Sequence, residues 1–231
     1  EILALQCTYN TGGLWHRGTR EQHPQWTEME YQVRNWLYFH WLSGDHIAEQ
    51  HIHSLDKLLW AMKDEPPIRC SASGGRTVRT EPIYGNVFDH FNTVYEWANG
   101  VKGFSSCRQW VGAAGDVSDH CFGTLGTAHI QTSQIEGETN WRYRDEGPDD
   151  MYQNEHDALF RAIRSGTAID DSDYMCKSTL MALMGRMSAY TGQSITWEQA
   201  LHSVEDLSPA TYAWGDVVTA PVARPGVTKF V

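Results

Sequence analysis

Three ionisable residues between positions 44 and 56 have a spacing that suits acid–base chemistry. Glu49, His53 and Asp56 stand at i, i+4 and i+7 of a predicted helix, which places their side chains within an arc of roughly 60°. An imidazole titrates near neutral pH and can act as a general base. One flanking carboxylate would fix the ring tautomer, and the other would be free to bind a substrate hydroxyl.

The same residues allow two other interpretations. Ordinary ion pairs along a solvated polar stripe would give the same spacing. A metal site is the second alternative, because His46, Glu49 and His53 offer two imidazoles and one carboxylate, with Asp45 one turn before Glu49 on the same face. Helix-borne metal sites usually carry tighter signatures, such as HExxH or paired ExxH, so the spacing favours a metal less.

Helical spacing predicts one helix, from about Asp45 to Met62, that carries these groups. An earlier helix begins at the capping box of Thr27 and Glu30, after a loop over residues 10–26. From residue 68 to about 144 the pattern changes to short β-prone runs, namely RCSAS, RTVRT, NTVYEW, VKGFSSC and AHIQTSQI. Helices return at about 150–164 and 172–190, followed by a last short one.

This order of elements predicts an α+β fold. We expect an open, mainly antiparallel sheet of about five or six strands, counting the initial ILALQCTY, with helices packed on one face. No strand leads into a GxGxxG turn and the chain has no P-loop, so it contains no recognisable site for a dinucleotide.

Composition excludes several classes of partner. The formal charge of −11 opposes binding to a nucleic-acid backbone, and the sequence predicts no membrane span. Five cysteines without close pairs disfavour a disulfide framework. The 10 Trp and 10 Tyr suit a pocket for hydroxyl-rich ligands as well as an ordinary core. No export signal lies within the chain, so a periplasmic or exported location and a cytoplasmic one, in a bacterium, both stay open.

Four segments resemble the glucose-fructose oxidoreductase, inositol dehydrogenase and MocA (Gfo/Idh/MocA) family, specifically its C-terminal domain. The first is EQHIHSLD at 49–56, in which Glu49 matches the substrate-contacting acid, His53 the general base and Asp56 the orienting acid. His51 replaces a residue that is often small, and we expect it to narrow or rewire the pocket. The other segments are FGTLGTA (122–128), NEHDALFRAIRSG (154–166) and GRMSAYTGQSITWEQAL (185–201).

The resemblance implies a dihydrodipicolinate-reductase-like C-terminal domain that binds substrate and oligomerises over residues 1–231, without the N-terminal nucleotide-binding domain. The full-length family oxidises a secondary alcohol of a sugar or polyol with NAD or NADP, and none is expected on this chain alone. A homodimer through the sheet face is also implied. The expected substrate contacts are Asn10, Trp15, Arg17, Arg34, Asp45 and His46.

Two further functions remain open at this point. The chain can be a domain that only binds a saccharide or a partner protein, because hydride transfer needs a cofactor site that it lacks. It can also be a lyase or glycosidase descendant that uses His53 as its base.

Overall fold

The computed structural model describes residues 1–144, 147 and 150–231 of the chain. Its strands are β1 (Ile2–Thr11), β2 (Arg69–Gly75), β3 (His90–Glu96), β4 (Lys102–Gln109), β5 (Asp116–Gly123), β6 (Gly126–His129), β7 (Gln134–Gly137), β8 (Trp141–Arg142) and β9 (Ile195–Thr196). Its α-helices are α1 (Glu28–Arg34), α2 (His40–Ser43), α3 (His46–Glu49), α4 (Ile52–Ala61), α5 (Met151–Ser165), α6 (Ser172–Thr191) and α7 (Trp197–Leu201).

The strands form one open sheet in the order β8-β7-β6-β5-β1-β4-β3-β2-β9. β1 and β4 run parallel, whereas the other described neighbours are antiparallel. The predicted α+β class and open sheet are confirmed. The predicted number of five or six strands is too small, because several of the added strands are only two to four residues long.

The main core lies between one face of the sheet and the helices α4 and α6. Side chains alternate between the two faces of a strand, so every second residue of β1, β3 and β4 points to the helices. Burial of these apolar side chains supplies most of the driving force for folding. The core includes Leu5, Cys7, Leu55, Leu58, Phe91, Tyr95, Met181 and Met184.

A second, smaller core fixes the loop that follows β1. It is built from Tyr31, Leu37, Tyr38, Phe39 and Val87. The Tyr38 hydroxyl donates to the backbone carbonyls of loop residues 14 and 15, both at 3.1 Å. The loop is therefore held against the region between α1 and α2 by its backbone as well as by side-chain packing.

The predicted strand RTVRT, residues 76–80, is a loop. The Asp89 carboxylate accepts hydrogen bonds from three successive backbone N–H groups, those of Thr77, Val78 and Arg79, at 2.7 to 2.9 Å. A segment whose N–H groups converge on one carboxylate cannot also donate them to a neighbouring strand. The β-prone composition of the segment is overridden by this contact.

The single helix predicted from about Asp45 to Met62 is two helices. The backbone N–H of His51 bonds to the carbonyl of His46, five residues back, at 2.9 Å. This π-type turn separates α3 from α4. The break turns His51 towards the sheet, so the regular i, i+4, i+7 stripe that the sequence predicts is interrupted between Glu49 and His53.

The helix α5 forms where the sequence predicts it, but none of its residues is buried. Its predicted apolar face, with Tyr152, Leu159, Phe160 and Ile163, is exposed. No helix among the described residues is long and apolar enough to cross a membrane.

Candidate functional site

Glu49 and His53 flank the junction of α3 and α4. The Glu49 side chain is half-buried, and burial raises the pKa of its carboxyl group, while nearby His46 and His53 oppose that rise. Its Oε2 atom is buried and has no hydrogen-bond partner within the described residues. The influence of His53 on the Glu49 pKa indicates that the two side chains lie close enough to interact electrostatically.

His53 is exposed at the first turn of α4. Its backbone N–H bonds to the carbonyl of Gln50, but in the described part of the chain its ring makes no hydrogen bond to Glu49 or to Asp56. The imidazole is therefore accessible to a hydroxyl group of a ligand. This accessibility is a requirement for a general base.

Asp56 lies beside a tyrosine of the neighbouring helix α6. Burial, and then the Asp56 carboxylate, raise the pKa of the Tyr174 hydroxyl. The expected contact by which Asp56 would orient His53 is not formed in this structure. Asp56 lies one helical turn after His53 on α4.

Asp45 is turned into the core and does not share an exposed face with Glu49, which corrects the sequence-based expectation. Its side chain is fully buried. Its Oδ1 accepts from the His46 backbone N–H at 2.6 Å and lies 3.1 Å from His46 Nδ1. Its Oδ2 accepts from the Phe88 N–H at 2.7 Å and the Tyr190 hydroxyl at 2.6 Å. These contacts occupy both oxygens, so Asp45 is a structural residue here.

His46 is also directed inward. Its ring packs on Phe91 with 5.0 Å between the ring centres, and its Nε2 is buried without a partner in the described chain. No group of three or more His, Cys, Asp or Glu residues in the described ranges is arranged to hold a metal ion. The inward His46 and the exposed His53 do not converge as the alternative metal site would require.

His51 does not narrow an open pocket, contrary to expectation, because it is fully buried. Its Nε2 lies 2.7 Å from the Ser105 hydroxyl and 3.7 Å from Cys7 Sγ. Burial lowers the pKa of the ring to about 3, so His51 is neutral at physiological pH. The residue links the α3–α4 junction to the middle of the sheet.

Sequence reasoning missed three polar residues: Tyr9, which lies near Glu49, and the pair Lys57 and Asp119. Burial raises the pKa of Tyr9, and the carboxylates of Glu49 and Asp119 add to the rise. Lys57 Nζ bonds to Asp119 Oδ2 at 2.7 Å. Lys57 stands at i+4 from His53, and this helical spacing could have identified it. Tyr9 and Asp119 lie on strands, and no spacing in the sequence relates them to Glu49.

Three of the expected substrate contacts line a surface pocket away from Glu49 and His53, here called the tryptophan–arginine hollow. It has a volume of about 520 Å³. Trp15, Arg17 and Arg34 are all part of its lining, whereas Glu49, His53 and Asp56 are not. The complete lining is Trp15, Arg17, His23, Trp26, Arg34 and Trp36.

Asn10 lies apart from both groups. Tyr9 contacts His51 on the helix-covered face of β1, with 6.2 Å between the ring centres. Because side chains alternate along a strand, the next residue, Asn10, points to the opposite face. Its Oδ1 is buried without a partner among the described residues.

A nicotinamide dinucleotide does not fit the described residues. Such a cofactor needs a Gly-rich turn that carries a strand directly into a helix N-terminus. β1 instead leads through the long loop into Thr27, and β4 leads through residues 110–115 into β5, which pairs antiparallel with β1.

No protein-family model matches the chain, and no curated protein matches its sequence. Solved structures do match. An aldose-aldose oxidoreductase from Caulobacter crescentus, crystallised with glycerol, has a TM-score of 0.59 at 14% identity, over 84% of this chain and 55% of that one. An oxidoreductase from Thermotoga maritima has a TM-score of 0.58 at 16% identity, over 87% and 55%. GenD2 from gentamicin A biosynthesis, in complex with NAD, has a TM-score of 0.58 at 13% identity, over 84% and 55%.

The chain shares the fold of one part of these oxidoreductases. The resemblance to the Gfo/Idh/MocA family is thereby confirmed at the level of fold. The chain spans little more than half the length of each matched oxidoreductase, so the rest of their architecture has no counterpart in it.

Proposed function

We propose that this chain is the substrate-binding and catalytic-base domain of an NAD- or NADP-dependent oxidoreductase that acts on a secondary alcohol of a sugar or cyclitol. The observation that carries the proposal is the exposed His53 imidazole beside the half-buried Glu49, on a fold shared with oxidoreductases. An accessible imidazole next to a desolvated carboxyl group has the geometry that alcohol deprotonation needs.

Each residue of the site has a distinct task in this proposal. His53 accepts the proton of the substrate hydroxyl at a ring nitrogen. Glu49 binds a neighbouring hydroxyl through its half-buried carboxyl group, whose Oε2 atom has no other partner among the described residues. Asp56, one turn after His53, stabilises the imidazolium that forms. The Lys57–Asp119 ion pair fixes this end of α4 to β5.

The nicotinamide cofactor would be held by residues outside this chain, and it would supply the hydride acceptor. The chain's own contribution is to bind the alcohol, orient it and remove its proton. The glycerol-bound and NAD-bound oxidoreductases of the same fold support this division of labour, because one was crystallised with a polyol and the other with a dinucleotide.

The test uses a longer protein that joins this chain to a nucleotide-binding domain. Inositols, aldoses and keto-sugars are offered with NAD and with NADP, and reduction of the nicotinamide is followed by absorbance. The proposal predicts reduction with at least one polyol or sugar. Absence of reduction with every pair, or release of product without any cofactor, contradicts it; the second outcome would instead indicate the lyase or glycosidase chemistry.

A domain that binds a saccharide without catalysis is the second candidate, and the tryptophan–arginine hollow favours it. Indole rings beside guanidinium groups are a common composition of sugar-binding surfaces. Binding of a saccharide by a full-length protein that never reduces NAD or NADP would select this candidate.

We also propose a homodimer through the face of the sheet that the helices leave uncovered. This face carries a shallow hollow of about 420 Å³ with Gln6, Asn92, Ser106 and the half-exposed Phe104. A sheet with one open face gains stability when a second copy covers it. Sedimentation should give a dimer that Phe104→Lys dissociates; a monomer at micromolar concentration contradicts the proposal.

A further inference from the structure

The tryptophan–arginine hollow is built from stacked rings and guanidinium groups. The Arg17 guanidinium lies 4.5 Å from the Trp15 ring centre, and that of Arg34 lies 4.8 Å from the Trp26 ring centre. The Trp15 and Trp36 rings meet edge to face at 6.1 Å. A guanidinium that stacks on an indole keeps its N–H edge available for hydrogen bonds in its own plane.

The two arginines of the hollow differ in how their charges are neutralised. Arg34 donates from Nε to Glu30 Oε1 at 2.9 Å and forms an ion pair with the same carboxylate. Arg17 forms no ion pair with any carboxylate in the described ranges, and its guanidinium makes no hydrogen bond there. In a chain with a formal charge of −11, Arg17 is thus a cation that remains available to an external anion.

The hollow combines this cation with exposed indole surface. Trp15 is 40% exposed, so its ring can still be covered by a ligand. The C–H face of a pyranose ring packs on an indole, and a carboxylate matches the two parallel N–H groups of a guanidinium. One ligand class satisfies both features, namely a saccharide unit that bears a carboxylate.

We propose that the tryptophan–arginine hollow is a recognition site for an acidic saccharide unit of the hexuronate type. Arg17 binds the carboxylate, and Trp15 and Trp36 hold the ring. The choice of a saccharide rests on the proposed function, whereas the negative charge is argued from Arg17 itself. His53 is not part of the lining of the hollow, so the hollow takes no part in proton removal.

The test titrates this chain with glucuronate, glucose and acetate at constant ionic strength, and follows tryptophan fluorescence and the heat of binding. We expect glucuronate to bind at least about tenfold more tightly than glucose or acetate. Arg17→Ala should remove that preference, and Arg17→Lys, which keeps the charge but not the planar fork, should reduce it. Trp15→Phe should weaken glucuronate and glucose alike.

Matched controls lie next to each other on β8, far along the sheet from β1. Trp141→Ala and Arg142→Ala remove exposed residues of the same two types and should leave the glucuronate affinity within about twofold of wild type. Equal binding of acetate, equal binding of glucose, no binding at all, or equal effects of Arg17→Ala and Arg142→Ala would each overturn the proposal.

Failure here is distinguishable from failure of the proposed function. If the longer protein reduces NAD or NADP with a neutral polyol while the hollow binds no uronate, only the acidic-saccharide inference is wrong. If the hollow binds uronate while the longer protein reduces neither cofactor with any polyol or sugar, acidic ones included, the oxidoreductase proposal is wrong and the recognition site stands.

Discussion

The Tyr190 hydroxyl donates a 2.6 Å hydrogen bond to the fully buried Asp45 carboxylate. This contact ties the turn before α3 to the far end of α6. The Phe88 N–H donates to the same Oδ2 atom, so three parts of the chain meet at one carboxylate. Burial opposes ionisation of Asp45, but the bond and the charge of His46, together with the bonds from Tyr190 and Phe88, lower its pKa overall. Asp45 therefore fixes the start of α3, the helix that carries Glu49, from the buried side.

Asp45→Asn should destabilise the protein by about 3 kcal/mol, because an amide cannot accept all of these hydrogen bonds. Tyr190→Phe should cost about 2 kcal/mol. Urea unfolding of both single variants and the double variant measures the coupling. The double variant should lose less than the sum of the single losses, and simple additivity would show that the two residues do not act together.

Acid should destabilise the fold through His51. An imidazole in the unfolded chain takes up a proton below about pH 6.5, whereas burial delays protonation of folded His51 until about pH 3. Between these values the unfolded state binds more protons, so stability falls as the pH falls. His51→Gln should reduce the slope of unfolding free energy against pH by up to about 1.4 kcal/mol per pH unit in this window.

The control for this slope is His202→Gln, which alters an exposed residue at the end of α7. It should leave the slope unchanged. His40, whose pKa is lowered to about 4 by burial, keeps part of the slope in the His51 variant. A slope that His51→Gln leaves at its wild-type value would show that His51 is protonated as easily in the fold as outside it.

Glu49→Gln should have an effect on stability that depends on pH in the opposite sense. Burial raises the pKa of Glu49 in the folded state, so the folded state holds this proton more tightly than the unfolded state does. Stability therefore falls as the pH rises from the unfolded-state pKa to the folded-state pKa. Glutamine cannot ionise, so the variant does not lose this stability as the pH rises. The variant should gain more stability, relative to wild type, near pH 7 than near about pH 4. Glu155→Gln, on the exposed α5, should show no such difference, and a pH-independent effect at Glu49 would refute the assignment.

Gly185→Ala should destabilise the fold although alanine is the better helix former. Gly185 lies inside α6, and an added Cβ would come within 2.5 Å of the Tyr95 hydroxyl and 3.0 Å of Ile47 Cδ1. The expected cost is about 2 kcal/mol, since α3, α6 and the sheet must separate. Gly215→Ala meets no atom within 4 Å and should be neutral. Equal melting temperatures for the two variants would contradict the close approach.

Local patterns in the sequence predicted the fold class and the later helices correctly. The caps at Thr27 and Thr196 and the glycine at 192 act over a few residues, and the structure confirms them. The segment 76–80 was predicted wrongly as a strand because the Asp89 carboxylate that organises it lies about ten positions further on. The shortest strands were missed because two to four residues carry too little periodicity.

The candidate site was predictable in part. Spacing brought out Glu49 and His53, which lie close enough for His53 to influence the Glu49 pKa, and their catalytic roles stay predictions. Spacing could not show that the His51 side chain would be buried against the sheet, because its partners Ser105 and Cys7 belong to strands distant in the sequence. The same limit applies to Asp45, whose burial depends on Tyr190. Tertiary contacts decide which polar residues of a helix remain exposed. These contacts cannot be inferred from the spacing of residues in a single sequence.

The central claim is that His53 removes the proton of a bound alcohol. Its most direct test is turnover by a longer protein, in which this chain is joined to a nucleotide-binding domain, in the variants His53→Ala and His156→Ala, the second being an exposed histidine on α5. We predict that His53→Ala lowers kcat by about 100-fold or more, that added imidazole restores part of the loss, and that His156→Ala is unchanged. Turnover of His53→Ala within a few-fold of wild type would contradict the claim.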